Sequence, residues 1–167
     1  MVSQVDGDRT IATNRRARHE YHILETIEAG LVLRGTEVKS LRDGGVNFKD
    51  SYATIRSGEG WLLGCHINPY SHGTDANHDP ERDRKLLLHR KELGRLTGKI
   101  AERGLTLIPL RMYFKQGRVK IELGLGRGKK LHDKRATLRE RDTRREMDQA
   151  AASAMRSGGP RRQRGDE

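Results

Sequence analysis

Aromatic residues make up only 4% of this 167-residue chain: one Trp, four Tyr and two Phe. That is too few for a broad platform on which single-stranded nucleic acid could stack. Cysteine is nearly absent, and the lone Cys65 excludes an internal disulfide framework and fits a reducing compartment. No apolar run approaches the roughly 20 residues of a membrane span. The polar stretch from Met1 to Thr10 lacks the hydrophobic centre of a signal peptide. Apolar residues of all kinds reach 33%, against roughly 45–50% in an average globular protein, which is too little to pack the whole chain into one core. What is abundant is positive charge: 34 Lys and Arg stand against 23 Asp and Glu, a net charge of +11. The balance describes a cytoplasmic, basic protein with no membrane role, whose first expected partner is a polyanion, nucleic acid above all.

The charge divides the chain. Residues 1–125 hold 21 basic and 16 acidic side chains, while residues 126–167 hold 13 and 7 and no aromatic at all. We therefore expect a flexible N-terminus over 1–10, a folded body over 11–126, and a basic tail over 127–167 that is disordered until it meets a partner. The body reads as short strands. Tyr21 to Glu28 is extended, with Ala29-Gly30 as a turn before Leu31 to Arg34. Thr36 is the expected N-cap of a short helix from Glu37 to Arg42, stopped by Asp43-Gly44-Gly45. Strands follow over Ser51–Arg56 and Trp61–Ile67, then a long polar loop from Asn68 to Arg84 and a short strand from Lys85 to His89. Arg90 to Arg103 is the best helix, with Gly104 as its stop. Thr106, Ile108, Leu110, Met112 and Phe114 alternate, as do Val119, Ile121, Leu123 and Leu125 after Gln116-Gly117, which predicts a β-hairpin with one face in the core. The fold class expected is mainly β, an OB-type small barrel with one or more short helices and a basic C-terminal tail.

Few residues carry chemistry on their own. Arg15, Arg16 and Arg18, with His19, precede the first strand and suit bidentate contact to phosphate. Cys65, His66, His72, His78 and Asp79 match no usual zinc spacing, and neither a metal nor a cofactor is expected. Arg82, Arg84 and Lys85 beside Asp79 and Glu81 read equally as an exposed ion-pair cluster or a nucleic-acid contact. Glu28 and Lys120 alone signal no more than solubility. Lys129 and Lys130 lead a glycine-flanked basic stretch through His132, Asp133, Lys134 and Arg135. Thr137 with Glu140 then forms a capping-box pattern, after which Met147, Ala150, Ala151, Ala154 and Met155 share one narrow face of a helix loaded with Arg139, Arg141, Arg144 and Arg145.

Taken in order, Asn14 to His22, Glu28-Ala29-Gly30-Leu31, Gly35 to Arg42, Arg84 to His89, and Gly128-Lys129-Lys130 through Asp133-Lys134-Arg135 resemble the SmpB family, the SsrA-binding proteins of bacterial trans-translation. The resemblance runs from about Thr10 to Arg145. It implies an OB-fold barrel that binds the tRNA-like domain of transfer-messenger RNA (tmRNA) and delivers it to 70S ribosomes stalled without a stop codon, together with elongation factor Tu on the charged complex. It further implies a tail lying helically in the empty mRNA channel against small-subunit RNA. By position it assigns RNA contact to Glu28, Leu87 and Lys120, and ribosome contact to His132, Asp133, Lys134 and Arg135, with Arg139 beyond them. His89 stands where some relatives have Asn. A general OB-type RNA-binding or ribosome-associated protein is the competing reading. A nuclease built on His132, Asp133 and Lys134 is disfavoured, because adjacent residues in a glycine-led flexible segment are not a preorganised site.

Overall fold

A computed structural model describes residues 8–73 and 75–157, and divides the chain into two compact units that meet between Gly128 and Lys129. In chain order the first unit contains β1 (Arg9–Thr13), α1 (Ala17–Glu20), β2 (Tyr21–Leu31), α2 (Gly35–Arg42), β3 (Val46–Asn47), β4 (Tyr52–Arg56), β5 (Glu59–Leu63), β6 (His66–Ile67), β7 (Arg84–Leu87), α3 (Arg90–Arg103), β8 (Thr106–Lys115) and β9 (Arg118–Gly128). The second contains α4 (Leu131–Ser157). The N-terminal segment expected over 1–10 lies outside the described residues up to position 7, and β1 begins at Arg9.

Strands β8, β4, β5, β7, β2 and β9 pair in that order, and β9 pairs back onto β8, so the ring closes into a small barrel. Closure removes the open edges that an antiparallel sheet of this size would otherwise expose. The C-terminal half of β8, which β4 leaves free, takes β1 instead. A mainly β barrel with short helices is thus what the strand periodicity anticipated. Its two tight hairpins turn on Ser57-Gly58 and Gln116-Gly117, all four at positive φ (50° to 74°), the backbone that two-residue hairpin loops require.

Three expectations need correction. Ala29-Gly30 is no turn: β2 runs straight through it, because Gly30 pairs with Lys120 on one side and Leu87 on the other. Thr36 is not the cap of α2. Arg34 is, and its N–H donates to Glu37 Oε2 at 2.8 Å, so the helix starts at Gly35. The hairpin strand β8 does not keep one face in one core. A bulge between Pro109 and Arg111 switches its faces. Leu107 and Met112 enter the barrel core, whereas Ile108 and Leu110 form a second cluster with Ala17, covered by Tyr21 and Ile23.

The long polar segment before β7 is held by a buried charge cluster rather than exposed as a loop of solvated ions. Arg84 and Glu37 are both 0% exposed. Arg84 Nε donates to Glu37 Oε1 at 2.9 Å, and its other nitrogens donate to the carbonyls of Cys65 (2.6 Å) and Pro80 (3.0 Å). Arg82 donates to both Glu37 oxygens at 2.7 and 2.6 Å. Nearby, buried His78 donates from Nε2 to the Ile67 carbonyl (3.0 Å) and pairs through Nδ1 with the Thr36 hydroxyl (2.9 Å). Burial alone would push the Glu37 carboxyl up, but Arg82, the Arg34 N–H and Arg84 together hold it below its ordinary value.

Three predictions follow from this cluster and from Cys65 beside it. Glu37→Gln leaves Arg84 buried without its counter-charge and should cost about 3–5 kcal/mol, read as a lower urea midpoint at unchanged slope. In the parent chain the folded-state carboxyl of Glu37 titrates below the unfolded one. Its contribution is therefore complete above the unfolded value of about 4.3 and fades as pH falls through the lower folded value. Glu37→Gln should lose that part of the acid sensitivity. Cys65, 0% exposed, has its thiol pushed up to about 11 chiefly by burial. A thiol-specific disulfide reagent at neutral pH should label it in urea and leave it untouched in the native chain.

Candidate nucleic-acid interface

Strand β2 carries a candidate interface at each end. At its C-terminal end, pairing aligns three strands. Lys120 of β9 sits opposite Gly30 of β2 and opposite Tyr113 of β8, while Glu28 sits opposite Glu122. On the other side of Gly30, β7 places Leu87. A Cβ on Gly30 would stand 3.2 Å from the Cβ of Leu87, so glycine lets β7 close in. The result is a groove of about 560 Å³ lined by Glu28, Leu87, His89 and Lys120 among others. Leu87 is 53% exposed in it. Exposure alone does not single it out, since Leu24 is exposed to 57%; its place among the charged groups of the groove does.

Each polar member of the groove has a local reason for its position. His89 is the N-cap of α3, and its N–H donates to Glu92 Oε2 at 3.2 Å. Lys85 and Glu59, on the facing strands β7 and β5, form an ion pair at 2.8 Å on the rim. Glu28 accepts a hydrogen bond from the buried Tyr113 hydroxyl and contacts Lys115 Nζ at 3.2 and 3.3 Å. The Tyr113 bond first, and then the Lys115 and Lys120 charges, hold the Glu28 carboxyl below its ordinary value against the opposing effect of burial. The groove thus offers a fixed anionic acceptor, a half-buried ammonium, an imidazole and an apolar wall within one short span. These are groups that meet a ribose hydroxyl, a phosphate and a base face.

The N-terminal end of β2 carries the arginines. The bulge of β8 leaves the Pro109 and Leu110 carbonyls to Asn14, whose side-chain amide donates to the first (2.8 Å) and whose backbone N–H donates to the second (2.7 Å). Ala17 then packs on Ile108 and Leu110. This anchorage holds the turn at Arg15 and Arg16 and the one-turn helix α1, and leaves Arg15, Arg16 and Arg18 exposed. His19 is half-buried instead, with its Nδ1 enclosed and without a hydrogen-bond partner among the described residues. A second groove, of about 780 Å³, lies beside this turn and is lined by Arg15, Arg16, Lys49 and Tyr52 among others. Tyr21 and Glu28 stand seven positions apart on β2, about 23 Å at about 3.3 Å per residue. The structure therefore does not gather the expected contacts into one site. It sorts Glu28, Leu87, His89 and Lys120 to one end and Arg15, Arg16 and Arg18 to the other.

In the second unit, α4 begins at Leu131, six residues before the expected cap at Thr137. Leu131 to Ala136 contains no glycine, proline or β-branched residue to delay a helix. Thr137 serves another purpose, accepting from Lys129 Nζ at 2.8 Å. Lys130, Arg135 and Arg139 are exposed. His132, Asp133 and Lys134 lie on the first turn of α4, and their side chains lie outside the described part of the structure. Met147 and Met155 are 67% and 85% exposed.

Sequence reasoning missed Glu59, Tyr113, Lys115, Lys49 and Tyr52, and it weighed Lys85 without its partner Glu59. The one signal that could have found any of them is Tyr113 itself, an aromatic set between Arg111 and Lys115 at alternate positions of the strand. Arg84 was expected at the surface and is corrected to a buried residue. Among the described residues no three His, Cys, Asp or Glu side chains are placed to hold a metal, and no helix is long and apolar enough to cross a membrane.

Comparison with known proteins agrees in every direction. The family model described as SmpB protein matches residues 11–153. The SsrA-binding protein of Desulforudis audaxviator is 58% identical over 146 residues, covering 87% of this chain and 95% of its own. That of Thermosynechococcus vestitus is 57% identical over 146 residues, covering 87% and 96%. A solved chain, from a structure described as "tmRNA-SmpB: a journey to the center of the bacterial ribosome", superposes with a TM-score of 0.61 at 57% identity, covering 72% of this chain and 85% of that one. A match that spans most of the chain, at this identity and in the same barrel, has one meaning: the chain belongs to the SmpB family of SsrA-binding proteins.

Proposed function

We propose that the protein is a non-enzymatic RNA-binding adaptor that binds the tRNA-like domain of tmRNA and brings it to stalled ribosomes for trans-translation. The observation that carries this reading is the meeting of Glu28, Leu87, His89 and Lys120 in one groove, in a chain of this family. In the groove, Lys120 binds a phosphate or sugar oxygen, Glu28 accepts from a ribose hydroxyl, and Leu87 packs on an exposed base or sugar face. Arg15, Arg16 and Arg18, with His19 behind them, contact backbone phosphates at the far end of β2. The body over 11–126 is the RNA-binding domain, to which Lys129 and Lys130 add charge. Residues 127–167 act on the ribosome.

The tail works by electrostatics and exclusion. An empty mRNA channel is walled with phosphates, and a basic helix fits it. An occupying message excludes the helix, which makes the tail a physical test for stalling. His132 stacks on or hydrogen-bonds a small-subunit base, Lys134, Arg135 and Arg139 reach phosphates, and Asp133 orients a neighbouring cation. The loaded RNA carries elongation factor Tu into the same complex. The setting is cytoplasmic.

Lys120→Ala and Glu28→Ala should each weaken binding of a tRNA-like-domain transcript about ten- to a hundredfold, the size of one lost charge-assisted contact. Circular dichroism should be unchanged. Affinity should fall steeply with added salt. Equal affinity for tmRNA and an elongator tRNA would instead indicate a general RNA-binding protein, and cleavage of the RNA by pure protein would indicate an enzyme.

A chain ending at Gly128 should still bind tmRNA, less tightly by the charge of Lys129 and Lys130, and should lose tagging in a reconstituted system with stalled ribosomes. His132→Ala in the full chain should reduce tagging more than affinity. Tagging by the truncated chain at the parent rate would refute this division of labour.

A further inference from the structure

Glu28 is partly exposed, with 40% of its side-chain surface open, and an exposed carboxylate on a strand ordinarily samples several rotamers. Here it does not stand alone. The Tyr113 ring is 2% exposed although it lies on the outer face of the barrel. The Arg111 guanidinium covers it at 4.4 Å from the ring centroid. Arg111 is itself held by Glu122 at 3.2 Å, and Glu122 is the residue opposite both Arg111 and Glu28. The Tyr113 hydroxyl ends this chain of contacts on Glu28 Oε2, leaving Oε1 with Lys115 at 3.3 Å as its nearest donor.

We propose that Tyr113 is a positioning residue for RNA recognition: its buried hydroxyl clamps one oxygen of Glu28 so that the other is presented to the groove as a fixed acceptor. The inference rests on the reading of that groove as the RNA site. A phenol can only fulfil this role while protonated. Burial first, and the Glu28 carboxylate second, push the Tyr113 hydroxyl above its ordinary value, so it is a donor at neutral pH. The clamp also lowers the entropy lost when RNA binds, because the carboxylate rotamer is already chosen.

The test uses the full chain and a tRNA-like-domain transcript. Tyr113→Phe removes one oxygen and keeps the ring. The charged groups nearest Glu28 besides Tyr113 are Lys115 on β8 and Lys120 and Glu122 on β9. Across the groove stand Glu59, Lys85, His89 and Glu92. All of these are common to parent and variant, so a difference between the two reports the hydroxyl. Carboxyl carbon NMR should show Glu28 titrating below the ordinary glutamate range in the parent and closer to it in Tyr113→Phe. RNA affinity at neutral pH should fall about tenfold, and the fall-off at acid pH should begin at higher pH in the variant. In Glu28→Gln, adding Tyr113→Phe should cost little more.

Three results would overturn the proposal: an unchanged Glu28 titration, an unchanged affinity in Tyr113→Phe where Glu28→Gln alone weakens binding, or strictly additive losses in the double variant. Full affinity in Glu28→Gln together with a shifted titration would instead remove the RNA reading of the groove and leave the clamp a structural bond. A second measurement needs no variant. The Tyr113 hydroxyl proton should persist in the parent spectrum when RNA is added, and its loss on binding would show that the clamp opens and does not position Glu28.

Discussion

The ion pair between Glu37 and Arg84 is the constraint on which the grooved end of the barrel depends. Two charges without solvent contact are tolerable only if nearly every donor and acceptor is met. Here the carboxylate takes hydrogen bonds from Arg34, Arg82 and Arg84, and the Arg84 guanidinium reaches two backbone carbonyls as well. Those carbonyls belong to Cys65 and Pro80, so the pair ties α2 to the start of β7, to Pro80 just before it and to Cys65 ahead of β6. Because Arg84 is the first residue of β7, its position determines where that strand begins. Leu87 and His89 follow three and five residues later at the groove. A disturbance of the buried pair would therefore reach the groove through strand position, without touching any residue that lines it.

Much of this architecture could be read from residue order, and the exceptions share a cause. The helix Arg90–Arg103 was legible to its ends because its stop is local: Gly104 takes a left-handed φ of 59°. The hairpin of β8 and β9 was legible because alternation is local too. The bulge at Pro109–Arg111 was not, since what decides it is the presence of Asn14 and Ala17 on the outer face, about 95 residues away in sequence. Strand β1 is five mostly polar residues with no pattern of its own, and only the free half of β8 makes it a strand. Arg84 and Glu37 carry the same letters as solvated ions, and their burial is invisible without their partners.

The candidate site was legible in a narrower sense. Taken singly, Glu28 and Lys120 were indistinguishable from ordinary surface charges, and family resemblance alone drew attention to them. What joins them to Leu87 is the register of three strands around Gly30, which no local pattern encodes. The arginines before β2 were conspicuous by composition, yet composition could not say that they occupy the opposite end of the same strand.

The mixed sign of the groove has a consequence for selectivity. Glu28, Glu59 and Glu92 line it beside Lys85 and Lys120, so it is not a simple trough for anions. A bare polyanion gains from the cationic parts of the surface but meets carboxylates wherever it tries to settle. A ligand that offers hydrogen-bond donors beside its phosphates satisfies both signs at once. On the proposed reading, the overall charge of +11 sets how often polyanions arrive, and the three carboxylates set which of them stay, so selection would act on dissociation rather than on capture.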